Sequence, residues 1–274
     1  MTPVRRIVGG WCAAATLGAF VFRDLCRRRL FAGFAAVAVI FVLGSSFLAQ
    51  IDFGGDARRF VLDFCFGALA LFGAVLTVAL TVVSLREPLE RGAVALVLAR
   101  PVGRGTVGAG LFTGAAAAVT LFVVVAGVVI AGLAWRYSSG PEAAGVSGFT
   151  WSGYFFALWI AWLRLFVIAS MVFLVAAAVD STAVALLLGF LLVIIGEVHG
   201  IAAEVWGQGG EGAAVTLLLA ALRLVPDLRY LQPDVFLHGG DVTVSGVAVI
   251  SLYGLLFAAG YAVLAAYVFH RRAT

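Results

Sequence analysis

Six apolar runs constrain this chain more than any other feature: roughly residues 30–49, 61–84, 106–134, 153–179, 183–203 and 245–269. A membrane-spanning helix takes about 20 mostly apolar residues, because a small rise per residue must cover the hydrocarbon thickness. With 64% of its 274 residues hydrophobic and only 12% charged, the chain has more apolar surface than a soluble core can use. The expected fold class is an all-α polytopic membrane protein, one transmembrane domain over 1–274 with six spanning helices. A seventh apolar stretch, Gly212 to Val225, is too short to span comfortably. It reads as a short interfacial or re-entrant helix inside an outer loop at 204–244, ahead of span six. Pro226 and Pro233 break the helix there and set a turn at the interface.

Arginine sets the orientation, because all 18 basic residues are arginine. Arg5, Arg6, Arg23, Arg27, Arg28 and Arg29 precede span one; Arg86, Arg91, Arg100 and Arg104 lie between spans two and three; Arg271 and Arg272 follow span six. With six spans these all fall on one side, which the positive-inside rule makes cytoplasmic, so both termini are expected there. The net charge of +4 serves topology and anionic lipid and calls for no nucleic acid. Residues 4–29, with Trp11, Phe20 and Phe22 among arginines, suggest a helix lying in the cytoplasmic interface. The alternative is a buried helix from Ile7 to Phe22, which would reverse the N-terminus. A long charged region and a full-length first span do not read as a cleavable signal.

Much chemistry is excluded. Without lysine the chain has no Walker A loop and no Schiff-base nucleophile. His199, His238 and His270 are scattered, with no metal-ligand spacing, and no G-x-S-x-G elbow occurs. Cys12, Cys26 and Cys65 form an odd set without C-x-x-C, so neither disulfide nor metal site is expected. The chain is expected to be non-catalytic and to bind no cofactor.

Ionisable residues at membrane depth are costly and often functional. Arg164, in W-I-A-W-L-R-L-F-V, reads either as a charge in a translocation path or helix contact, or as a side chain snorkelling to the outer interface beside Trp159 and Trp162. Asp63 and Glu197 read as interfacial. Gly110-x-x-x-Gly114 and Gly196-x-x-x-Gly200 are spaced to permit close helix packing.

The charged island at 85–105, L-R-E-P-L-E-R-G-A-V-A-L-V-L-A-R-P-V-G-R-G, lies between spans two and three. Its centre, Gly92 to Ala99, is apolar enough for a short helix, and Pro101 stops it. The apolar Val94, Leu96, Val97 and Leu98 suit a helix seated in a partner's groove, with Arg100 and Arg104 left for carboxylates or lipid phosphates. The alternative is a plain solvated linker.

This island resembles the segment between spans two and three of ABC-2-type exporter permeases. Glu87, Glu90 and Gly92 match that family's approach to the loop helix, and Leu96 and Leu98 match the helix itself. Arg100, Pro101, Val102 and Arg104 match its turn, and Gly110 the glycine six residues on. Ala93, Ala95, Gly103 and Leu111 depart from its threonine, acid, serine and lysine. The resemblance implies a coupling helix, with Glu87, Glu90, Arg91, Gly92, Leu96, Leu98, Arg100, Pro101 and Arg104 as ATPase-coupling residues. It further implies a cytoplasmic P-loop ATPase partner carrying ATP and Mg, a homodimer or a homologous permease, and a place in the bacterial cytoplasmic membrane. The expected function is export from the cytoplasm or inner leaflet. The rivals are a non-transporting membrane scaffold and a secondary transporter, which would want a mid-membrane ionisable site and paired repeats.

Overall fold

A computed structural model describes residues 3–48, 57–92, 103–138, 150–209, 224–237 and 244–272. Those residues are helical apart from short turns. The helices are α1 (Pro3–Arg27), α2 (Arg29–Leu48), α3 (Ala57–Glu90), α4 (Arg104–Ser138), α5 (Trp151–Ala178), α6 (Thr182–Gly209), α7 (Asp234–Leu237) and α8 (Val244–Arg272). A single 3₁₀ turn, Leu228–Leu231, precedes α7.

Among the described residues, five helices are long and apolar enough to cross a membrane: Arg59–Glu90, Gly105–Arg136, Trp151–Ala178, Thr182–Gly200 and Val244–Phe269. The chain is therefore read as a polytopic α-helical membrane protein. The expected first span, 30–49, coincides with α2, which qualifies as a crossing only together with α1. The two are bent by 60° at the arginine-rich Arg27–Arg29 joint.

Helix α5 is the hub. It packs on α3, α4, α6 and α8, and 78% of its most apolar stretch is buried, against 22% for α6 and 17% for α8. Its start is fixed by Thr150, whose hydroxyl accepts the Gly153 N–H at 3.1 Å; such an N-cap supplies a partner for an amide that has none in the first turn. Val179, Asp180 and Ser181 alone join α5 to α6, which form a tight hairpin.

Two boundaries differ most from expectation. Helix α3 continues past residue 84 to Glu90. Arg86–Glu90 and Glu87–Arg91 stand four residues apart with opposite charge, which favours the helix over a loop. Gly92, with a left-handed φ of +68°, then ends it. Helix α6 likewise runs on to Gly209, past residue 203.

The two glycine pairs are used differently. A Cβ on Gly110 would lie 2.9 Å from Leu17 and one on Gly114 2.7 Å from Val21, so α1 runs beside the first turns of α4 in the same direction. Gly196 and Gly200 face the Pro226–Arg229 segment. A Cβ there would meet Leu228 at 2.8 Å and the Asp227 carboxylate at 3.0 Å, so an extended loop occupies the place expected for a helix.

That loop, 224–237, does not stay at the end of the bundle. The Asp227 N–H donates to the Tyr253 hydroxyl at 2.9 Å, and the Tyr261 hydroxyl donates to the Leu224 carbonyl. Tyr253 and Tyr261 lie about 14 and 26 Å along α8 from Val244, at 1.5 Å per residue. The turn expected at the interface is thus folded inward along α8. Leu228 and Leu231 are fully buried, and a Cβ on Gly153 would stand 2.5 Å from the Phe236 carbonyl oxygen. The apolar stretch 212–223 lies outside the described residues.

Candidate functional site

The first constellation is at the arginine-rich end, where α2, α4 and α6 begin and α3, α5 and α8 finish. Arg28, at the α1–α2 joint, pairs with Asp24 at 2.6 Å and reaches across to Glu87 on α3. Glu87 also pairs with Arg91. Glu90 accepts the Thr182 hydroxyl at 2.5 Å and stands 3.9 Å from Arg86. Partial burial pulls the Arg28 pKa down, but the bonds from its guanidinium to Asp24 and Glu87 outweigh that and hold it above its ordinary value. Its charge is therefore permanent. The root of the 85–105 island is thus fastened to the α1–α2 joint through Glu87 and to the α5–α6 hairpin through Glu90.

Of the residues read as coupling sites, Glu87, Glu90 and Arg91 are brought together here. Gly92 ends α3, and Arg104 opens α4. Leu96, Leu98, Arg100 and Pro101 lie outside the described residues, as does most of the expected loop helix. Arg28, Arg86 and Thr182 belong to the same network, and sequence reasoning did not connect them to it. For Arg28 and Thr182 the signal was weak, because a contact between distant helix ends leaves no fixed spacing; Arg86 stands four residues before Glu90, a spacing that the sequence does carry.

The second constellation is midway along the bundle. Arg164, near the centre of α5, is 8% exposed and forms an ion pair with Glu197 of α6. Arg164 thus makes a helix contact between α5 and α6, with Glu197 as its partner. The indole N–H groups of Trp159 and Trp162 donate to Ser251 of α8 and Thr120 of α4, both at 2.9 Å. Symmetry about the hairpin explains the pair. Arg164 stands sixteen residues before Asp180 and Glu197 sixteen after Ser181, so an antiparallel hairpin sets both about 24 Å above the turn. Sequence arithmetic of this kind could have found the partner.

Glu197 lies between Gly196 and Gly200, the two positions on which the Pro226–Arg229 loop rests. Asp227 and Arg229 therefore stand within a helical turn of the ion pair. The Nε of Arg164 and the Nδ1 of His199 are buried with no hydrogen-bond partner among the described residues. An ion pair out of water is held at a large desolvation cost, and removing one partner alone costs about 3–5 kcal/mol. Among the described residues no group of three or more His, Cys, Asp or Glu side chains could hold a metal ion.

Compared with known protein families and with curated proteins, the chain matches none.

Proposed function

We propose that this chain is the permease subunit of an ATP-driven exporter, with the ATPase on a separate soluble partner. The observation that supports it best is the fastening of Glu87 to Arg28 and of Glu90 to Thr182. A soluble motor that seats the segment 93–102 and shifts it pulls at once on the α1–α2 joint and on the α5–α6 hairpin. Two rigid levers then move around the hub helix, and the substrate path opens and closes between them. In this reading the arginine-rich end is cytoplasmic, both termini lie there, α1 sits in the interface, and α2 is the first of six spans. The chain works as a pair with a second copy or a homologue in the cytoplasmic membrane.

Co-purification tests it. Tagged chain expressed in its native host retains a P-loop ATPase, and Glu87→Arg combined with Leu96→Asp releases that partner without preventing membrane insertion. Retention of the same ATPase by the double variant refutes the docking. Recovery of no ATPase from wild-type membranes refutes the reading altogether.

The Arg164–Glu197 pair favours a second reading, a secondary transporter with an ionisable site at membrane depth. Uptake or efflux that persists in vesicles without nucleotide and collapses with the ion gradient identifies it.

A further inference from the structure

We propose that Arg164 is the recognition charge of an oxyanion-binding site within the membrane, taking a carboxylate or phosphate carried by an amphipathic molecule. Glu197 holds the same guanidinium when that molecule is absent. The inference rests on the permease reading only for the ligand's role as cargo; the binding itself does not require an ATPase.

A guanidinium offers five N–H donors in a planar fork that matches carboxylate and phosphate. Here one of them serves Glu197, while Nε is buried with no partner among the described residues. A buried donor left without an acceptor is uncommon in a folded protein and calls for a specific reason. The surroundings of this one point to an oxyanion. Arg164 is more than nine-tenths buried at the middle of the hub helix, where fastening α6 to α5 would need only apolar contact. The pair is lopsided as well: the Arg164 side chain is 9% exposed and that of Glu197 34%. The carboxylate is the half that can swing away, and the arginine is fixed. The site also has a cover. The Pro226–Arg229 loop lies over both glycines beside Glu197, and the Tyr253 and Tyr261 hydroxyls hold it. Release of that loop uncovers the Glu197 face of α6 without unpacking α5. An apolar chain attached to the oxyanion has the exposed Leu191, Ile194 and Val198 of α6 alongside it.

A binding experiment decides this. The chain alone is placed in phosphatidylcholine nanodiscs, with Trp11, Trp135, Trp151 and Trp206 replaced by Phe so that emission comes from Trp159 and Trp162. Four brominated quenchers of equal chain length are titrated: a fatty acid, an alkyl phosphate, a neutral methyl ester and an alkylammonium. One charged hydrogen-bonded contact supports a preference of about tenfold or more for the two anions over the ester and the cation. Arg164→Gln removes that preference. Glu197→Gln tightens anion binding, because the internal carboxylate no longer competes. The double variant Arg164→Gln/Glu197→Gln, with shape kept and charge removed, remains folded and shows no preference. Competition by an anionic phospholipid added to the disc assigns the oxyanion to a lipid headgroup, and its absence assigns it to a free solute; both uphold the site. Equal quenching by all four amphiphiles overturns the proposal. So does a Glu197→Gln that weakens anion binding as Arg164→Gln does, since a purely structural pair behaves in that way. If Arg164→Gln alone does not fold, an anion preference kept by the double variant overturns it.

Discussion

The seat of the 224–237 loop on α6 can be tested through Gly196. An alanine there places a methyl 2.8 Å from Cδ1 and 2.9 Å from Cγ of Leu228, and 3.4 Å from the Pro226 carbonyl. Leu228 is fully buried and has nowhere to move. Overpacking of this kind costs about 1–3 kcal/mol, offset by about 0.5–1 kcal/mol that alanine gains over glycine inside a helix. Gly67 on α3 is the control, because a Cβ there meets nothing within 4 Å and only the gain applies. The two variants should therefore differ by about 1–3 kcal/mol. For a chain of this size that is roughly 3–9 °C in Tm, using about 3 °C per kcal/mol. Thermal unfolding in detergent, followed by tryptophan emission, measures it. A cycle with Leu228→Ala sharpens the test. The truncation alone leaves a cavity worth about 2–5 kcal/mol, and the new methyl partly fills it. The double variant is then more stable than the sum of its parts by about 1 kcal/mol or more. Equal melting of Gly196→Ala and Gly67→Ala, with strict additivity in the cycle, would show that the loop does not rest on this face.

Three further outcomes follow from the geometry. Tyr154→Phe removes a buried hydroxyl that donates to the Gly127 carbonyl at 2.5 Å, and should cost about 1 kcal/mol in denaturant titration, with little change in shape. Under the exporter reading proposed above, reversing the joint charge with Arg28→Glu weakens ATPase-coupled transport, and Arg28→Glu with Glu87→Arg restores part of it; no rescue would dismiss the cross-helix pair. On the proposed topology, a charged, membrane-impermeant maleimide labels the exposed Cys12 fastest from the cytoplasmic side. It should label Cys26 more slowly, because burial raises that thiol's pKa and leaves less thiolate at neutral pH, and the fully buried Cys65 not at all. Protection of Cys12 from both sides of a sealed vesicle would put α1 inside the membrane.

The spans were legible because long apolar runs have few other uses, and α3, α4, α5, α6 and α8 lie close to where those runs predict them. Their ends were less so. Arg86, Glu87, Glu90 and Arg91 read as a break in the apolar pattern, although their four-residue spacing is that of a helix surface. The glycine spacings signalled close approach but could not say what approaches: Gly110 and Gly114 receive a helix, and Gly196 and Gly200 receive a loop. Arg164 stood out alone in the sequence, yet its partner Glu197 is set by the hairpin, which brings the two level. Pairings between distant elements are decided by register in three dimensions, and one-dimensional periodicity does not carry them.

Helices α3 and α4, with 34 and 35 residues, are about 51 and 52 Å long, while the hydrocarbon layer is about 30 Å thick. Each overshoots the layer by about 20 Å, and the segment 93–102 joins their arginine-rich ends. A rod of that length pivoting about its midpoint by about 10° swings its tip by about 4 Å. The pair is geared: a small rotation among closely packed helices becomes a displacement the size of a side chain at the far end, and a push of that size at the tip returns as the same small rotation.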